Sequence, residues 1–338
     1  MAETNVAYAG SDANLESLIL HILPDFGEHG DGIVNSNLLT AALKQKGSVQ
    51  NITGGLEFWY GIMKNESSNA QWQGKNDDMS ANSQDPDARL RWEPMIYTNA
   101  VVLNQLDKAK NRGRAAIKNY LMTLREQAII TNENQFNSAW WKTTPGTNEP
   151  SSIPSLISAT PTTGTIGGLN RSGNAYLQNG AYTTAITDIG SEAGIAKMIE
   201  LKIKYAVGRS QADLIIMSEA NYAGLAGYLT TQRRYMNNDA LAKLGFETIQ
   251  QGNTVIGWEN TNVLGGANTI NSAYMYGINT KFMKLKHLTD PDVGANGWTT
   301  KFERIGRTLN KAVYYNWFGN LTTNTPRAHW VATSVATT

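Results

Sequence analysis

"LIIMSEANYAGLAGYLTTQRRYMNNDALAKLGFETIQQGNTVIGWENTN", residues 214–262, alternates strand and helix signals more densely than any other part of the chain. The run "DLIIM" (213–217) is short, apolar and bounded by polar residues, the signature of a buried strand. Ser218 then caps a helix that brings Tyr222, Leu225, Ala226 and Leu229 together. "NDALAKLGF" reads as a short helix stopped by Gly245, and "FETIQQGNTVIGW" as a hairpin around Gln251-Gly252-Asn253. These elements predict an α/β module.

Outward from this module the character changes. A helix starts at a Ser191 cap, carries Ile195, Ile199, Ile203 and Ala206 on one face, and ends at Gly208. Before it lies a connector, 142–190, rich in Thr, Pro, Ser and Gly. Residues 103–139 give the clearest helix, with Ile117, Leu121, Leu124 and Ala128 in one stripe and Gly113 as a kink or boundary. Upstream, "GGLEFWYGIMK" and "ARLRWEPMIYTNAVVL" are strand-like and flank a long polar stretch at 65–87, which predicts a projecting β-hairpin. Residues 1–46 read as an extended arm with a short helix near 14–23, and "GIVNSNLLTAALKQKG" as a second short element closed by Gly47. The tail is mostly strands: "AYMYGI", "KFMKLKHL", "AVYYNWFG" and "AHWVATSVA".

The chain has 338 residues, a net charge of +1 and no cysteine. Neutrality removes a global electrostatic footprint for nucleic acid or anionic membrane. The missing thiols remove disulfides, thiolate catalysis and Cys-ligated metal. Charged residues make up only 17% of the chain, and Asn and Thr, roughly a fifth of it, fill the gap with groups that bond local backbone. No run approaches the ~18 apolar residues of a membrane span. Glu3 stands where a secretory signal carries a cation, so the chain is expected to stay where it is made.

The stretch most like an active site is "ATPTTGTIGGLNRS" (159–172), with Gly164, Gly167 and Gly168. A phosphate loop needs Gly, four residues, then Gly-Lys-Ser/Thr; four residues from Gly164 stands Leu169, and no lysine follows. The dinucleotide fingerprint fails as well, because the spacing is G-x-x-G-G and no helix pattern follows. These glycines read as backbone that turns tightly or passes close to another chain. His21, His29, His287 and His329 show no paired ligand spacing; His29 sits in a polar turn beside Glu28 and Asp31, and the last two read as sheet residues. "GLAGY" lacks the serine of a nucleophile elbow. No catalytic, cofactor or metal residues are expected, and the chain is expected not to be an enzyme.

An arm, a projecting hairpin and long connectors cost conformational entropy unless something orders them, and a neighbouring copy does so economically. With that organisation in view, "SIPSLISATPTTGTIGGLNRSGNAYLQN" (152–179), the 214–262 stretch and "AYMYGINTKFMKLKHL" (273–288) resemble the major capsid proteins of tailed bacteriophages, the Hong Kong 97 type fold. The resemblance implies an α+β fold with an N-terminal arm over 1–47 and an extended E-loop hairpin over 48–98. It places a peripheral domain over 99–184, with a spine helix at 103–139, a mixed α/β axial domain over 185–270, and the peripheral domain again over 271–338.

The function so implied is self-assembly into hexamers and pentamers of an icosahedral head around double-stranded DNA, in the host cytoplasm, with non-specific DNA contact and no membrane. Scaffolding, portal and cementing proteins are the implied partners. An encapsulin-type compartment and an enzyme on a mixed α/β scaffold are the alternatives. Inter-subunit contacts are expected from Trp59, Lys64, Trp72, Lys75, Arg89, Arg91 and Trp92, and a structural connector from Gly164, Gly167 and Gly168. One branch of the family cross-links an E-loop lysine to an asparagine. Lys64, Lys75, Asn320 and Asn324 have suitable places, but no motif matches, so no cross-link is expected.

Overall fold

The computed structural model describes residues 37–64, 69–70, 72–75, 87–103, 114–231, 248–259, 269–289, 298–304 and 311–336. The expected helices near 14–23 and at 238–246, and most of the hairpin tip, lie outside them. Helix α1 (Leu38–Gln45) is capped by Asn37, whose side chain accepts from the Leu39 N–H at 2.8 Å, and Gly47 closes it at a φ of 67°. Strands β1 (Val49–Ile52), β2 (Phe58–Met63), β3 (Asp87–Trp92) and β4 (Met95–Leu103) follow.

The run 88–103, expected as one strand, is therefore two. Pro94 has no N–H to give a ladder, so β3 pairs with β2 while β4 leaves for another sheet.

The spine helix also differs from the expected 103–139. It is α2 (Arg114–Trp141), because the β-branched run up to Leu103 is taken by β4. Its last turn extends to Trp140 and Trp141, both buried. Then come a single helical turn α3 (Ile153–Leu156), β5 (Thr165–Ile166), β6 (Leu169–Asn170) and β7 (Gly180–Tyr182). Helix α4 (Glu192–Lys204), β8 (Leu214–Ser218), α5 (Glu219–Thr231), β9 (Ile249–Gln251) and β10 (Thr254–Glu259) form the module read first. Strands β11 (Met275–Ile278), β12 (Met283–Leu288), β13 (Trp298–Arg304), β14 (Lys311–Thr323) and β15 (Trp330–Ala332) complete the described chain.

Two mixed sheets organise these strands into an α+β fold. One runs β1-β12-β14-β13, with β4 also on β14; the other runs β7-β15-β11-β8-β10-β9. The boundaries expected at 185 and 271 do not follow the sheets. The second sheet takes β7 from before 185 and β11 and β15 from after 271. Strand β8 explains why its sequence is apolar throughout. Leu214 and Ile216 enter the core that includes Trp140, Trp317 and Leu285, whereas Ile215 and Met217 enter the core under α4 and α5 with Met198, Leu201 and Leu225. A strand buried on both faces has no polar side to show.

Helix α4 corrects a further expectation. Its buried residues are Gly194, Met198 and Leu201, while Ile199 and Ile203 are 38% and 59% exposed. Gly194 sets the rotation: a Cβ there would lie 2.2 Å from the Asp188 carbonyl oxygen, so this face meets the body, with Ile195 half-buried at its edge and Ile199 and Ile203 turned outward.

Candidate assembly surfaces

The glycine-rich stretch is a hairpin. Thr165 pairs with Asn170 and Ile166 with Leu169, leaving Gly167 and Gly168 as a two-residue loop with φ of 53° and 77°. Two consecutive left-handed residues make a type I′ turn, which Gly-Gly adopts at little strain. Gly164, at a φ of 81°, accepts the Arg171 N–H at 2.9 Å and sets the hairpin's entry. The tip docks on β3. Arg91 donates its backbone N–H to the Gly167 carbonyl at 3.0 Å, and a Cβ on Gly167 would lie 2.9 Å from Leu90 Cδ2. Around Gly168 there is open space.

Just past the hairpin, Arg171 is buried with no carboxylate among its hydrogen-bond partners. Its guanidinium donates to Asn179 Oδ1 at 2.8 Å and to the Ser155 and Leu156 carbonyls at 2.8 and 2.9 Å. Those carbonyls lie at the C-terminal end of α3, the end of a helix that attracts a cation. Burial pulls its pKa down to about 10. Asn179 in turn accepts the Ser158 N–H and donates to the Ser158 and Gly180 carbonyls. One side-chain pair thus fastens α3, the hairpin and the start of β7. In the sequence, only a lone Arg among small residues marks it.

The β2–β3 ribbon has two unlike faces. Phe58, Ile62, Ala88, Leu90 and Trp92 point into the first core, while Trp59, Met63, Arg89 and Arg91 face outward. Trp59 is 62% exposed, Arg89 lies 5.5 Å from its ring centroid, and Arg91 sits 3.8 Å from Glu57. Of the expected contact residues, Trp59, Arg89 and Arg91 therefore share one surface. Trp72 and Lys75 are exposed beyond the ribbon, and Lys64 is half-buried at its end. Trp92 leaves the set: β3 alternation turns it inward, edge-on to Tyr60 at 5.8 Å. Asn320 is also committed, donating to the Glu93 carbonyl and accepting the Ser151 N–H, so its amide is spent inside the protomer.

A buried lysine anchors the ribbon. Lys286 of β12 places its ammonium 3.7 Å from the centroid of Tyr60 and 5.5 Å from that of Phe58. Tyr60 adds a 3.1 Å hydroxyl contact with Thr322. Burial lowers the Lys286 pKa and lifts that of Tyr60 to about 12.

Two histidines sit inside. His287 accepts the Trp317 indole N–H at 3.0 Å, and His329 accepts the Asn279 backbone N–H at 3.1 Å while meeting Thr323 Oγ1 at 2.9 Å. Burial drops their pKa values to about 4 and about 3. The folded chain thus keeps both neutral where an unfolded chain, titrating near 6.5, takes up protons. Above that pH neither state is protonated there and the pair has no effect. Below it stability falls as pH falls, by up to ~1.4 kcal/mol per unit for each histidine. Urea midpoints of the unassembled chain at neutral pH and near pH 5 check this; a higher midpoint in acid contradicts it.

Between α4, α5 and the β9–β10 hairpin runs a groove of about 640 Å³, lined by Ile195, Ile199, Leu225, Leu229, Ile249 and Ile256 among others. Among the described residues no three His, Asp or Glu side chains converge as a metal site, and no helix is long and apolar enough to cross a membrane.

No protein-family model and no curated protein matches the chain in sequence. Solved structures do. A cyanophage A-1(L) capsid subunit superposes with a TM-score of 0.58 at 9% identity, over 85% of this chain and 90% of its own. The capsid of a native GTA particle gives 0.54 at 12% identity, over 88% and 90%. The chain has the Hong Kong 97 type capsid fold. A third match, the capsid of Myoviridae phage XM1, scores 0.50 at 11% identity, over 86% and 90%. At such identities the fold persists through burial pattern and turn chemistry, while the side chains on its surface are this chain's own.

Proposed function

We propose that the chain is the wall subunit of a tailed-phage head, assembling as hexamers and pentamers of an icosahedral shell that encloses double-stranded DNA. The observation that carries this reading is the capsid fold over nearly the whole length of both chains compared, at 85% and 90%. The chain then acts by many modest contacts shared among neighbours, whose avidity exceeds any single one, and it performs no catalysis. In this reading the 48–98 segment is the E-loop, α2 the spine, and the α4–β10 module the axial domain. Separate scaffolding, portal and cementing proteins are its partners in assembly.

Electron microscopy of the purified chain tests the reading. Shells, tubes or capsomers are expected, and a compact monomer under every assembly condition rejects it. Shells from the native source that hold protein cargo in place of DNA reject the phage-head assignment. The double variant Trp59→Ala/Met63→Ala separates assembly from folding. Exposed aromatics at the centre of an interface commonly contribute ~2 kcal/mol or more, so the variant is expected to unfold at the wild-type urea concentration yet assemble at least tenfold less readily. Normal shell yield would remove this face from the interface.

A further inference from the structure

Below the α4–α5 layer, where β8 and β10 begin and β11 ends, lies a second basin of about 490 Å³. Lys202, Arg209 and Lys281 line it, and Lys46 reaches its edge, 3.9 Å from Asp213. Asp213 is the single carboxylate in the lining, and its oxygens already accept from Thr280, from the backbone N–H at 2.8 Å and from the hydroxyl at 2.5 Å. Among the described residues no carboxylate lies within ion-pair distance of Lys202, Arg209 or Lys281. Burial keeps the Lys202 pKa below the ordinary lysine value despite the pull of Asp213. Four cations thus face one occupied anion, in a chain whose net charge is only +1.

The rest of the lining is polar: Ser210, Gln211, Asn253, Thr254 and Asn279. A protein partner would be expected to meet an apolar centre, and this basin has only Ala212. Lysine, arginine, hydroxyl and amide groups without an apolar centre are the set that contacts phosphate oxygens. We infer that this basin binds the phosphodiester backbone of duplex DNA, through Lys46, Lys202, Arg209 and Lys281. Binding that runs through charge to phosphate oxygens carries no base-sequence information. The inference deepens the shell reading by naming the face that meets the packaged duplex.

The test measures affinity of the unassembled full chain for a short duplex of scrambled sequence between about 50 and 200 mM salt. The wild-type chain is expected to bind at the low-salt end. The triple variant Lys202→Ala/Arg209→Ala/Lys281→Ala is expected to bind at least tenfold more weakly, with a salt slope shallower by about 0.9 for each phosphate contact removed. A control triple variant, Lys142→Ala/Lys197→Ala/Arg327→Ala, removes equal charge elsewhere and is expected to keep most of the affinity. Wild-type protein that does not bind at low salt overturns the inference. So does equal loss in both variants, or loss of binding to a poly-glutamate peptide with duplex affinity unchanged. Shell formation, read separately by microscopy, is expected from the basin variant. If no variant or wild type forms shells but the basin variant still loses DNA, the shell reading fails and this one stands.

Discussion

Gly167→Val is expected to destabilise the unassembled chain by about 4 kcal/mol, combining a left-handed backbone that a β-branched residue resists with overpacking against a strand. Gly167 holds a φ of 53°, and its added Cβ would lie 2.9 Å from Leu90 Cδ2 and 3.2 Å from the Arg91 backbone nitrogen. Leu90 is fully buried and Arg91 N is bonded to the Gly167 carbonyl, so neither can retreat without opening β3. Gly168 separates the two contributions. Its φ is 77° but nothing lies within 4 Å of its Cβ position, so Gly168→Asn is expected to cost under ~1 kcal/mol. Urea denaturation of both variants decides the matter. Equal losses would mean that turn strain alone acts and that the docking on β3 contributes nothing.

The second large effect is Arg171→Met, expected to cost about 3 kcal/mol, because it strips a donor from two buried acceptors and a half-buried one while keeping much of the side-chain volume. Replacing both sides of a buried polar contact can be neutral, but here the Leu156 carbonyl and the Asn179 amide oxygen stay behind, buried, without the guanidinium. Arg171→Lys keeps the charge, yet one ammonium cannot span Asn179 and two carbonyls as a planar fork does. An intermediate loss is expected for it. Wild-type denaturation midpoints for Arg171→Met would show that the clip is replaceable by packing.

Both effects sit in a stretch whose sequence invited a nucleotide-binding guess, and spacing alone was enough to set that aside. The tight-turn reading of its glycines agrees with the structure. What the sequence did not disclose is that Ile-Gly-Gly-Leu is a complete two-residue hairpin, although Gly-Gly between apolar residues is a recognised signal. The strand at 213–217 was legible because burial on both faces leaves an uninterrupted apolar run. The face of α4 was not, since Ile195, Ile199 and Ile203 outweigh Gly194 and Met198 in hydrophobicity, while the helix rotates to where backbone can approach. Trp92 was misplaced for a related reason: aromatic content suggests a sticky surface, but strand parity decides which way each residue points, and parity needs the register with β2. Lys286 and Arg171 could not be ranked from sequence, because a cation's burial depends on carbonyls and rings brought from distant segments.

The strand order sets a timetable for making the molecule. Strand β14 is flanked by β4, β12 and β13, and β15 sits between β7 and β11, so each sheet has an interior place filled by residues beyond 310. Early segments such as β1 and β7 find their partners only at β12 and β15, well over a hundred residues later. The first sheet cannot close before residue 323 is made, nor the second before residues 330–332, and such distant pairings slow folding. A nascent chain stopped short of residue 323 lacks both the platform under the ribbon and the sheet under α4 and α5, and one stopped between 323 and 330 still lacks the second. Only chains translated to the end of β15 can therefore complete both sheets, and prematurely terminated ones never present the finished fold.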